Sequence, residues 1–170
     1  MAIFITTCAS CNAEPPTDIR DLIKAQKANG YGKVINDSIA DIIMNPKLVN
    51  CQLVSKNPTD SLRQDTLRTL SKGMETVLIY LFFNEENFKG NQTVYGNFIP
   101  WVRFTFNAKK KRTVYLELDF GLAKWRLLDK DKKVFCMQDM KVYNNQMLHF
   151  VRLLFPKDNT LNILKDNLKP

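Results

Sequence analysis

The chain has 170 residues, of which 45% are apolar and 25% charged, and 25 Lys/Arg against 17 Asp/Glu give a formal net charge of +8. A chain of this length buries roughly 70% of its unfolded surface, so neither a disulfide nor a metal is needed to hold it together. Its longest apolar run, VLIYLFF at 77–83, falls far short of the ~20 residues that span a bilayer, and no cation precedes Arg20 to make a secretory leader.

The N-terminal third reads as helical and mixed. PPTDIRDLIKAQKANG predicts a helix capped by Thr17, with Ile19, Leu22 and Ile23 on its apolar face and Gly30 at its end. NDSIADIIMNP predicts a second helix, capped by Asp37 or Ser38 and stopped by Pro46, and KLVNCQLVS alternates like a strand. In NPTDSLRQDTLRTLSKGMETVLIYLFF, Leu62, Leu67, Leu70, Met74, Val77, Leu78 and Leu81 recur at three- and four-residue steps. That spacing predicts one long helix from a cap at Thr59 or Asp60, with Gly73 as its weak point.

From about Val94 to Val142 the period changes to two. Val102, Phe104 and Phe106 alternate with Arg103 and Thr105, and Val114, Leu116, Leu118 and Phe120 alternate with Tyr115, Glu117 and Asp119. This is the pattern of an antiparallel sheet with one face packed and one in water. The joins NAKKKR and DKDKK then read as hairpin connections. NNQMLHFVRLLFP predicts a closing helix, capped by Asn144 or Asn145, that lays Met147, Leu148, Val151 and Leu154 on the sheet, and a last short helix follows within NTLNILKDNL. The expected class is α+β: N-terminal helices, then an antiparallel β-meander of about four strands packed by C-terminal helices. Residues 1–57 form the N-terminal segment and 58–170 the core, the two making one compact domain.

The charge is unevenly placed. Residues 101–157 hold 13 Lys/Arg and 5 Asp/Glu, whereas the remaining 113 residues hold 12 of each. The excess belongs to the meander and its following helix, which is the footprint expected of a polyanion binder. Lys109, Lys110, Lys111, Arg112, Lys130, Lys132 and Lys133 fall at hairpin tips, and Arg103, Lys124, Arg126 and Lys141 on strands. Tyr115, Trp125 and Tyr143 are the aromatics available to stack on bases, with the sheet core as the alternative place for Trp125. An antiparallel meander packed by a following helix is similar in architecture to Whirly-type single-strand binders, although no motif of theirs occurs in this chain. The expected function is nucleic-acid binding, with single-stranded DNA favoured. Lysine at hairpin tips also guards sheet edges against aggregation, so the cations need bind nothing. The second reading is a structural or assembly subunit of a virion or mobile-element complex, a homo-oligomer or one with an assembly partner, whose basic hairpins dock acidic patches or contact packaged genome. Abundant Lys and Asn, 18 and 16 residues, would suit an AT-rich genome such as a phage's. Under either reading the expected location is cytoplasmic, in a host cell or a virion if the gene is a phage's, with no membrane contact.

Chemistry-bearing motifs are few. Cys8 and Cys11 make one C-x-x-C, but no second pair exists and His149 is the only histidine, so neither metal nor cofactor is expected. Asp139 and Lys141 make a D-x-K that could join Asp119 on a neighbouring strand as a metal-holding nuclease pair. NGYGK at 29–33 follows a helix and opens none after a strand, so it is no phosphate loop. The expectation is a protein without catalytic residues.

Overall fold

The computed structural model describes residues 18–54, 62–89, 97–109, 112–140 and 142–164. The first helix, α1 (Ile19–Ala25), is capped by Asp18, whose carboxylate accepts from the Arg20 N–H at 2.9 Å. The expected cap Thr17 lies outside the described residues. Only Ile23 of its expected apolar face is buried, and Leu22 is exposed. The cap of α2 (Asp37–Met44) is Asn36, accepting from Ile39 N–H at 3.0 Å. Asp37 therefore sits inside the first turn, where a carboxylate favours the positive end of the helix.

The long helix expected across 59–83 is two structures. Leu62 bridges to Val54, a single 3-10 turn covers Gln64–Thr66, and β2 (Arg68–Thr69) pairs with β1 (Leu48–Leu53). Helix α3 begins only at Lys72 and runs to Phe82, with Ser71 accepting from the Met74 N–H. The leucine spacing imitates a helix, but the backbone has other partners. The Leu70 N–H donates to Val49 O, and the Thr66 hydroxyl accepts from the Leu53 N–H. The expected caps Thr59 and Asp60 lie outside the described residues. Within α3, Leu78, Ile79 and Phe82 point inward, while Val77 is exposed.

Gly73 is the second residue of α3, and a Cβ built there meets nothing within 4 Å. Alanine would restrict the unfolded chain and cost the folded one nothing. Gly73→Ala is expected to raise stability by about 0.5–1 kcal/mol. Chemical denaturation checks this, and a lowered midpoint would refute it.

The remaining strands are β3 (Val102–Asn107), β4 (Thr113–Asp119), β5 (Lys124–Leu128) and β6 (Val134–Asp139). All pairs are antiparallel, in the order β2-β1-β3-β4-β5-β6. The class is the expected α+β, with six strands where about four were expected. The meander is β3–β6, β1 adds to its β3 side, and β2 adds a short outer edge.

One face of the sheet carries Val49, Cys51, Phe104, Phe106, Leu116, Leu118, Trp125 and Leu127, all buried in one cluster. Helix α2 packs on β3 and β4, and α3 sets Phe82 against Trp125 with ring centroids 5.1 Å apart. Helix α4 (Asn144–Leu154) brings Phe150 to 6.2 Å from Phe104. Met147, Leu148 and Val151 are buried as the spacing expects, and Leu154 is partly buried. Asn144 and Asn145 open this helix and do not cap it, and the Asn144 amide donates to Phe120 O. The last helix, α5 (Asn159–Ile163), is capped by Asp158, which accepts from the Thr160 and Leu161 N–H groups. No described helix is long and apolar enough to cross a membrane.

Cys51 and Cys136 are free and buried in this core. Burial raises the Cys51 thiol well above its ordinary value and pushes Cys136 up to about 11, so both are poor nucleophiles at neutral pH. Cys8 and Cys11 lie outside the described residues.

Candidate nucleic-acid interface

Paired residues on adjacent strands share a face, so register decides which charges meet. On the face opposite the core, Gln52, Arg103, Glu117, Arg126 and Met137 form one row. Asp119, Lys124 and Asp139 form the next. Glu117 is wholly buried. One of its oxygens accepts from Arg103 Nε and the other from Arg126 Nε, each at 2.6 Å. The Arg103 guanidinium lies 5.6 Å from the Tyr115 ring centroid, and that of Arg126 lies 4.3 Å from the Phe98 centroid. Lys124 Nζ stands 3.6 Å from Asp139 Oδ1.

Two carboxylates on this face thus hold three cations: Glu117 takes Arg103 and Arg126, and Asp139 faces Lys124. Arg103 is only 6% exposed and Lys124 only 9%. The expectation that Arg103, Lys124 and Arg126 track phosphate along the strands is corrected: their charge is spent within the sheet. Lys141 lies outside the described residues.

Trp125 is corrected as well. It is 1% exposed, its ring is edge-on to Phe82 and Phe88, and its indole N–H donates to Asn87 O at 3.1 Å. A ring enclosed on all sides cannot stack on a base. Tyr115 and Tyr143 are half-buried, and Tyr143 lies at the far end of the sheet, beyond β6.

The metal-pair reading is not supported by the register. Asp119 and Asp139 stand on strands two apart, about 10 Å from the strand spacing, with Lys124 between them. Asp119 accepts from the Gly121, Leu122 and Ile99 N–H groups at 2.8–3.1 Å. Among the described residues no group of three or more His, Cys, Asp or Glu is placed to hold a metal.

What the fold does bring together is one end of the sheet. In an antiparallel meander alternate turns fall on the same side, so the β3–β4 and β5–β6 connections leave together, about 10 Å apart. The start of β1 joins them, since Lys47 N–H donates to Asn107 O and Leu48 pairs with Asn107. Lys47, Lys109, Arg112, Lys130, Lys132 and Lys133 are all exposed there. Lys110 and Lys111, in the same connection, lie outside the described residues. The nearby carboxylates are Asp41, 3.3 Å from Arg112, Asp131, 3.1 Å from Lys130, and Asp129. Asp129 organises the β5–β6 turn by accepting from the Asp131 and Lys133 N–H groups, both at 2.9 Å, and Lys132 adopts a left-handed φ of 62°. Sequence reading missed Lys47 because only the β1–β3 pairing carries it to this end.

A bulge lies just behind the turn. Leu127 pairs with Cys136 but Leu128 pairs with Val134, which leaves Phe135 as the extra residue. Val134 and Phe135 are 40% and 42% exposed.

No protein-family model, curated protein or solved structure matches the chain.

Proposed function

We propose that the protein is a non-enzymatic nucleic-acid-binding module of the cytoplasm. It holds the phosphate backbone at the hairpin end of its sheet, with single-stranded DNA favoured. The observation that carries this reading is the convergence of two basic hairpins and the start of β1 at one end, where six exposed cations outnumber three carboxylates. The interface is the rim of the sheet and not its face, whose cations are held by Glu117 and Asp139.

Each phosphate neutralised on a single strand releases counterion and adds about 0.7 to the log–log salt slope. The combined variant Lys130→Ala, Lys132→Gly, Lys133→Ala is expected to weaken oligonucleotide binding and flatten that slope by about two units. Glycine suits the left-handed φ at 132, so this variant should fold at least as well as the parent. Fluorescence anisotropy with labelled oligonucleotides at several salt concentrations checks it. Unchanged affinity at every salt would refute the interface.

The assembly reading would then lead, and it has support of its own. Leu22 and Tyr80 line an apolar groove between α1 and α3, and with the neighbouring Val77 they are 42–51% exposed. Such a groove is what one subunit of a virion or mobile-element complex would offer another.

A further inference from the structure

We propose that Phe135 is a base-stacking platform, which turns the basic end of the sheet from a phosphate clamp into a reader of single strands; this rests on the nucleic-acid reading above. Three observations converge on it. The first is position: Phe135 follows Lys133 by two residues and stands just behind the turn that holds Lys130 and Lys132. The second is the bulge. Cys136 and Gln138, further along β6, face inward and are buried, and the shift between Leu127 and Leu128 frees Phe135 from any cross-strand partner. Bulges re-aim side chains, commonly at rims and binding sites. The third is the contrast with four other large aromatics in or beside the sheet. Phe104, Phe106, Phe120 and Trp125 are at most 1% exposed, while Phe135 is 42% exposed beside an equally open Val134.

A single exposed phenylalanine would ordinarily need no explanation. Here it follows Lys130, Lys132 and Lys133, the cations that the phosphate reading requires, by five, three and two residues. A base has a π-face whatever its identity, so stacking adds affinity without sequence preference. In a duplex those faces are occupied by neighbouring bases. The gain therefore goes only to unpaired strands, whereas the lysines hold either form.

The test compares a labelled thymidine 15-mer with an abasic 15-mer carrying the same phosphates, by anisotropy at matched salt. The parent is expected to bind the thymidine oligomer about 5- to 100-fold more tightly. Phe135→Ala should remove most of that difference and leave abasic binding and the salt slope unchanged, while Phe135→Trp should keep it. Unchanged abasic binding also shows that the alanine variant is folded. Retention of the parent's preference by Phe135→Ala would overturn the proposal. So would equal binding of both oligomers by the parent, although the phosphate reading would then stand. If the parent binds neither oligomer, both readings fall.

Discussion

Glu117→Ala is expected to cost about 3–5 kcal/mol of folding stability. The carboxylate is wholly buried between Arg103 and Arg126, and each guanidinium gives it a 2.6 Å hydrogen bond. Removing it leaves two like charges facing each other across β4, with side chains only 7% and 17% exposed. Most of the loss is the penalty of burying cations without a counter-charge, and not the value of the ion pairs themselves. Replacing Arg103, Glu117 and Arg126 together by Met, Leu and Met should therefore recover most of the loss. Urea unfolding reads both results. A loss below about 1 kcal/mol for Glu117→Ala would mean that water reaches the ladder and that the sheet face is not neutralised from within.

Trp125→Ala should be comparably severe, at about 3–5 kcal/mol. The ring lies within a set of edge-on contacts, 5.1 Å from Phe82 and 5.4 Å from Phe88, and truncation would empty the centre of that set. It would also strip Asn87 O of the indole N–H. Trp125→Phe should lose less, because it keeps most of the ring volume. The diagnostic comparison is melting temperature against oligonucleotide affinity. Core packing requires the first to fall while folded protein at low temperature still binds. A variant with the parent's melting temperature and weaker binding would return Trp125 to the interface.

The burial of Trp125 was legible in the sequence. Lys124, Trp125 and Arg126 are consecutive, so a strand that turns the two cations outward turns the indole inward. Grouping all three as one binding surface ran against that parity, which favours the core alternative for Trp125. The meander itself was legible because Phe104, Phe106, Leu116 and Leu118 recur at a strict period of two. The closing of the polar face was not. It depends on Arg103, Glu117 and Arg126 falling in one row, and a row is a property of register across three strands. The position of Phe135 was hidden for a related reason, since one extra residue in β6 changes no composition and breaks no run. Between Leu62 and Leu70 the error had another source. Local spacing suited a helix, but backbone partners on β1, distant in sequence, claimed the segment as a sheet edge.

The order of the strands also fixes what each pairing costs the unfolded chain. The β5–β6 hairpin closes a loop of a few residues, from Leu128 to Val134. The innermost pair joining β1 to β3, Leu53 with Val102, closes one almost ten times longer, which holds β2 and α3 within it. Because closure entropy grows as the logarithm of loop length, that pairing costs about 2 kcal/mol more before any contact repays it. The meander can thus condense on local contacts alone, and β1 docks onto an edge that already exists. The segment that carries Lys47 to the basic end then joins after the meander, and the rim is complete only when that longer-range pairing has formed.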